Sequence, residues 1–436
     1  EIGWCDWSSD VCSSDLRYGT IRYRITESIT GKPSSRVGYD PLGREVCSEQ
    51  RGARWSWRSV SRVYDSHGRI KKVSLPYHYT PKHWNSYSYD DYDRPTRFSE
   101  ASGKTTSWSY DGLSVTETKN GIAVTKTVDA SGALVSVNDP GGTITYALRP
   151  DGQPSSITAP GGIVTSFGYD AFGRQTSITD PSAGTQTFSD VYAADGTLTR
   201  TLTDANNKTV TTVTDRYGRL VSVSRPEFTT AYQYRDDDKS LLEYESSSNG
   251  TRSDFQYDNL GRMQSVKESV PDGKWLKKTF AYDAGNISSV QYESHGGSIG
   301  AEHYTYTDGH NTKIKFNNTS IWELTGENEL GQPTSAYTGS MRRTYSYTPF
   351  GMPTGRKAGS IQYYSYDFDP QRGNLLSRTD STRNLTETFG YDPLNRLSSM
   401  DSRQISYADN GNITQMPGVG TVGRSEERRV GKECRS

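Results

Sequence analysis

Reactive side chains are scarce in this chain, which carries only four cysteines and six histidines in 436 residues. Cys5, Cys12 and Cys434 stand in or beside the two ends, leaving Cys47 alone in the body. A single cysteine can build neither a disulfide framework nor a thiolate metal centre. His78 and His83 are split by Pro81 and miss the His-Glu-x-x-His spacing of a zinc helix. His303 and His310 flank a turn, so the expectation is no metal and no cofactor.

Apolar residues are few as well, at 31% of the chain, with a mean hydropathy of −0.81. No run approaches the ~18 apolar residues of a spanning helix, so no membrane span is expected. The net charge of −1 divides into −4 from residues 1–16, +2 from 423–436 and +1 from the remainder. A near-neutral body argues against nucleic acid or an anionic membrane as a partner. Neither a G-x-S-x-G elbow nor a phosphate-binding loop occurs, and Asp236-Asp237-Asp238 lacks the alternating ligands of a calcium loop. No stretch of a dozen residues has helical periodicity, which predicts almost no helix. The chain reads as non-enzymatic.

What is abundant is tyrosine, thirty of them, and much of it recurs in one six-residue phrase. The phrase is Tyr-Asp-x-x-Gly-Arg at Tyr39, Asp40, Gly43 and Arg44, then at Tyr64, Asp65, Gly68 and Arg69. It returns at Tyr169, Asp170, Gly173 and Arg174, and at Tyr257, Asp258, Gly261 and Arg262. A fifth copy has Tyr391, Asp392 and Arg396, with Asn395 in the glycine place. With looser copies there are about eighteen turns between Tyr39 and Tyr407, one in roughly every twenty-two residues.

The chemistry is that of a turn. Tyrosine favours strands, and the aspartate side chain bonds backbone N–H groups two residues on. Asp at the first position and Gly at the fourth mark a type I turn whose glycine takes positive φ as a bulge. These residues are therefore structural turn residues, not catalytic ones.

A second kind of turn is expected at Asp139-Pro140-Gly141-Gly142, Ala159-Pro160-Gly161-Gly162 and Val270-Pro271-Asp272-Gly273. There Pro presets φ and the next Gly supplies the positive φ of a type II turn. Between turns run strands of five to seven residues, such as Thr143–Leu148 and Ile163–Tyr169. The second places Ile163, Thr165, Phe167 and Tyr169 on one face. Irregular loops are expected where the phrase decays, at 227–239 and 305–329. The fold class is all-β, an antiparallel β-hairpin ribbon that strand twist would make coil.

The ends carry no repeat. Residues 1–16 and 423–436 resemble in-frame translations of sequencing-adapter DNA, and the array is expected to occupy 17–422. An array cut short would show unpaired strand edges and associate.

The recurrent Tyr-Asp-x-x-Gly-Arg, over nearly all of residues 18–418, resembles the Rhs/YD-repeat family. The resemblance implies a hairpin ribbon that spirals into a hollow shell, secreted or at the cell surface. In the family's bacterial toxins the shell encloses a covalently linked C-terminal toxin domain, and an immunity protein is an implied further partner. The Asp-Pro-x-Gly core that closes such shells is missing, since Asp392-Pro393-Leu394-Asn395 lies inside an ordinary repeat. The alternative is an exposed array whose Trp55, Trp57, Trp84, Trp108, Tyr363 and Tyr364 bind a glycan or a cell-surface protein.

Overall fold

A computed structural model describes residues 21–421, apart from Trp55, Asp238, Lys239 and Asn410. The expected end segments lie outside the described residues, as do Trp55 and the last member of Asp236-Asp237-Asp238.

The regular structure of the described chain is antiparallel β-strand, and its only helical element is one 3-10 turn at Pro160–Gly162. A 36-stranded sheet holds all but three short strands near the C-terminal end. Along it, strands successive in sequence pair antiparallel, as a hairpin meander requires. Composition accounts for this: seven of the twelve residues in Leu198–Thr203 and Thr209–Thr214 are threonine, which fits a pleated, half-buried surface. Ile163–Tyr169 alternates as expected, with Ile163, Thr165 and Phe167 half-buried and Val164 and Ser166 exposed.

The sheet encloses little core. No large side chain among the described residues is fully buried. Stabilisation comes instead from cross-strand pairs such as Tyr87 and Phe98, whose rings lie 4.8 Å apart.

The chain divides into two compact units, interleaved along the sequence. The first combines Glu1–Val124, Tyr282–Ser289 and Ala301–Arg403. Within it an early stretch of ribbon packs on a late one. Asn286 Nδ2 donates to the Gly31 carbonyl (2.6 Å), and the His310 Nε2 lies 2.8 Å from the Arg51 carbonyl. His83 meets the edge of Phe350 at 5.2 Å. At Gly331 an added methyl would lie 2.9 Å from Arg58 Cζ, and at Gly373 one would lie 3.0 Å from Lys104 Nζ. The second unit combines Thr125–Ala281, Val290–Gly300 and Gln404–Ser436. There Asn412 Nδ2 donates to Ser182 Oγ (3.3 Å), and Asp409 lies against Gly161.

Three expectations need correction. Residues 305–329 are not irregular: strands His310–Phe316 and Thr319–Glu327 run through them. Asp308 and Gly309 both take positive φ (45° and 73°), a two-residue turn that needs no Asp-x-x-Gly phrase. In 227–239 a strand, Thr229–Tyr234, lies between two loops. The Pro-Gly turns are also not alike. Ala159–Gly162 is type II as expected, with Gly161 at φ 79°, ψ 6°. At Asp139–Gly142 the positive φ falls on Gly142 (119°) and not on Gly141, which removes the type II geometry. Val270–Gly273 closes like the Asp-x-x-Gly turn, with the Gly273 N–H on the Val270 carbonyl (3.0 Å) and Gly273 at φ 79°.

Candidate functional site: the repeated turn

The expected turn residues come together in one geometry at every strict copy. In the first, Gly43 N–H donates to Asp40 O and Asp40 N–H to Arg44 O, both at 3.0 Å. Asp40 Oδ1 accepts from the N–H groups of Leu42 and Arg44 (2.9 Å each), and Oδ2 accepts from Arg44 Nε (2.8 Å). The same bonds recur around Asp65, Asp170, Asp258 and Asp392. Gly43, Gly68, Gly173 and Gly261 all sit at φ between 74° and 82°. Asn395 fills the glycine place at φ 60°, a conformation asparagine tolerates better than most residues. The second strand starts right after the arginine, so Tyr169 pairs with Gln175 across a bulge.

The aspartates are held below the usual carboxylate range. At Asp258 and Asp215 the hydrogen bond from the arginine side chain is the main cause; at Asp170 it is the Arg174 backbone N–H. At Asp40 burial pushes the carboxyl up, but the N–H and guanidinium of Arg44 outweigh it.

The tyrosine has a role that reading each phrase alone misses. Its hydroxyl reaches back to the preceding turn, where it donates to the carbonyl of the residue after the arginine. Tyr64 bonds Glu45 O (2.7 Å), Tyr89 bonds Ile70 O, and Tyr110 bonds Pro95 O (2.9 Å each). Tyr169, Tyr306 and Tyr347 reach Pro154, Ile287 and Pro333 in the same way, each at 2.9 Å, with Gln153, Asn286 and Gln332 in the arginine place. The arginine of the earlier turn then covers the ring of the later tyrosine. Arg44 Cζ lies 4.6 Å from the Tyr64 centroid, Arg69 4.6 Å from Tyr89, and Arg94 4.1 Å from Tyr110.

This closes a gap in the ribbon. Strands Glu45–Arg51 and Trp57–Tyr64 are joined covalently at one edge only, and the Tyr64–Glu45 bond fastens their open end. Where glutamine replaces the arginine, its amide makes a similar reach: Gln153 bonds Gly173 O (3.1 Å) and Gln332 bonds Gly351 O (2.8 Å). Burial foremost pushes the hydroxyls of Tyr64, Tyr89, Tyr257, Tyr306 and Tyr347 up, as befits donors that stay protonated. The signal available in sequence was the adjacency of Tyr and Asp at a fixed period.

The model of the Teneurin YD-shell family matches residues 86–251 of this chain. The repeat geometry and that match decide its kinship. Its repeats are of the Rhs/YD kind. Its fold is shared with the crystal structure of TcdB2-TccC3-Cdc42, at 15% identity and a TM-score of 0.71 over 88% of this chain and 25% of that one. TcdB2-TccC3-TEV gives 14% identity and a TM-score of 0.72, again over 88% of this chain and 25% of that one. A Photorhabdus luminescens Tc holotoxin pore gives 14% and 0.65, over 90% of this chain and 26% of that one. The YD-repeat chain thus spans about a quarter of the length of the structures it matches. No curated protein matches its sequence.

The remaining candidates do not converge. Among the described residues no group of three or more His, Cys, Asp or Glu could hold a metal ion. Trp57 lies between Arg36 and Arg51, whose Cζ atoms are 4.1 and 4.8 Å from its ring. Trp84 and Trp108 sit in strands opposite Ser74 and Glu117. Tyr364 stacks beside Tyr366 at 6.4 Å, and Lys357 approaches the Tyr363 ring at 5.6 Å.

Proposed function

We propose that the YD-repeat chain is a non-enzymatic length of shell wall that encloses a covalently linked C-terminal effector and takes part in its delivery from the cell. The observation that carries this is a long sheet with no fully buried large side chain among the described residues, fastened by the tyrosine bond at Tyr64, Tyr89, Tyr110, Tyr169, Tyr306 and Tyr347. A wall needs stiffness without a thick core, and this pattern supplies it. One of the similar structures is described as TcdB2-TccC3 without its hypervariable C-terminal region, which fits a wall followed by a variable cargo. An immunity protein that neutralises the cargo belongs to the same reading.

The test starts from the DNA that encodes the chain, read onward past Gly418. The longer protein is expressed and digested with a protease, with the part after the repeats also digested alone. Enclosure predicts that this part resists digestion only when attached to the repeats. It also predicts that Gly31→Val, which crowds Ala284 inside the first unit, restores digestion. Equal digestion rates attached and alone would refute enclosure. A cell-wall anchor or further binding modules in that position would favour the glycan or surface-protein reading.

A further inference from the structure

The hairpin turns alternate between two edges of the ribbon. One edge carries the YD-type turns, among them 40–44, 65–69, 90–94, 328–332, 348–352 and 392–396. The other carries the connecting loops, among them 28–34, 52–56, 75–83, 100–104, 339–340, 359–361 and 381–384.

Inside the first unit the early and late stretches meet in one sense. Gly31, Arg51, His83 and Lys104 lie at the loop edge of the early stretch. They meet Asn286, His310, Phe350 and Gly373 at the YD edge of the late stretch. The second unit repeats the sense, with Ser182 at a loop-edge turn against Asn412 in the YD-type turn 408–412. Such a contact is heterologous. It uses the loop edge of one stretch and the YD edge of another, so the opposite edge of each stretch takes no part in it.

The two YD edges differ at the third residue of the turn. Phe350, in the turn that meets His83, is half-buried. Leu42 and Tyr92 hold the same turn position in the early stretch and are 75% and 80% exposed. On the unused loop edge of the late stretch, Ile361 is 70% exposed.

We propose that the YD edge around Leu42 and Tyr92 docks the loop edge around Ile361 of a second copy of this chain, giving head-to-tail association. The second copy is the occupant because it carries the complementary edge, and because the chain already joins these two kinds of edge within itself. This is separate from pairing of open strand edges, which would leave the turn tips uninvolved.

The experiment is sedimentation of the intact chain in a series reaching about 100 μM, where an interface of micromolar to submillimolar affinity is populated. Three samples are compared: the parent, a Leu42→Asp/Tyr92→Asp variant and an Ile361→Asp variant. The parent is expected to form a ladder of species that grows with concentration. Each variant alone is expected to stay monomeric with an unchanged β-sheet circular dichroism spectrum. Each retains one sound edge, so mixing the two variants is expected to give dimers that do not grow further. A parent that is monomeric throughout, variants that associate like the parent, or a mixture that stays monomeric would each overturn the proposal.

Discussion

Gly173 tests the turn most directly. Its φ is 75°, and a methyl added there would lie 3.3 Å from Gln153 Nε2, the group that also donates to the Gly173 carbonyl. An L-residue in the left-handed region costs roughly 1–2 kcal/mol, and a β-branched one belongs at the upper end of a range of about 1–3 kcal/mol. Gly173→Val is therefore expected to destabilise locally by about 1–3 kcal/mol. Gly173→Asn should cost well under about 1 kcal/mol, because asparagine visits this region readily. Other copies agree, since Asn395, Asn207 and Asp93 occupy the same place at φ 60°, 60° and 63°. A repeat array need not unfold as one unit, so the assay is hydrogen exchange of the strands Ile163–Tyr169 and Gln175–Asp180. The valine variant should exchange there about 5- to 150-fold faster, at tenfold per ~1.4 kcal/mol. Exchange at the parental rate would refute the turn geometry. Equal costs for valine and asparagine would show that side-chain crowding, and not φ, sets the penalty.

Tyr64→Phe keeps the ring under Arg44 and removes only the bond to Glu45 O, so it should cost about 0.5–1.5 kcal/mol in denaturant unfolding. Tyr64→Leu, which also removes the ring, should cost more; equal losses would deny the arginine contact a part. In acid, depressed aspartates such as Asp170, Asp215 and Asp258 contribute stability that is complete above their ordinary value of 3.8. That contribution is lost as pH falls through their lower folded values. A thermal melting series below pH 4 should fall steeply in the parent, less so in Asp258→Asn, and a parallel fall in both would refute the assignment. At the alkaline end the raised hydroxyls of Tyr64, Tyr89 and Tyr347 give stability that is full below 10.0 and lost as pH rises through their higher folded values. Spectrophotometric titration should place these phenols above the exposed tyrosines, and coincident titration would count against the buried donor bonds.

What was legible in sequence was the Asp-x-x-Gly turn and the alternation of the strands beside it. Asp170, Gly173 and Arg174 could be assigned to a bulged turn because each acts on its own neighbours. The alternation of Ile163–Tyr169 was legible for the same reason. The errors came where a similar composition has two solutions. Asp139–Gly142 and Ala159–Gly162 share Pro-Gly-Gly, yet positive φ falls on Gly142 alone in one and on both Gly161 and Gly162 in the other. At 305–329 the fading of one turn phrase hid another, the two-residue turn at Asp308 and Gly309. The Tyr64–Glu45 bond and the Asn286–Gly31 contact depend on register and on the path of the sheet, and separations of 19 and 255 residues leave no local trace.

The adjacency of tyrosine and aspartate now has a physical reason. Asp65, Gly68 and Arg69 shape their own turn and set the intrinsic stability of one hairpin. Tyr64 acts on the hairpin before, and Arg69 on the tyrosine after, so these two set the coupling between neighbours. In a linear array those are the two terms that determine stability, and cooperativity depends on the second. A phrase that joined them loosely would still give hairpins, but hairpins that open independently. An isolated pair of strands is marginal in water, so such a sheet would open at any repeat. Placing the two residues side by side locks the coupling to the turn, and every copy of the phrase extends the same sheet. That is why insistent recurrence here points away from a private chemistry at any one turn and towards the continuity of the sheet.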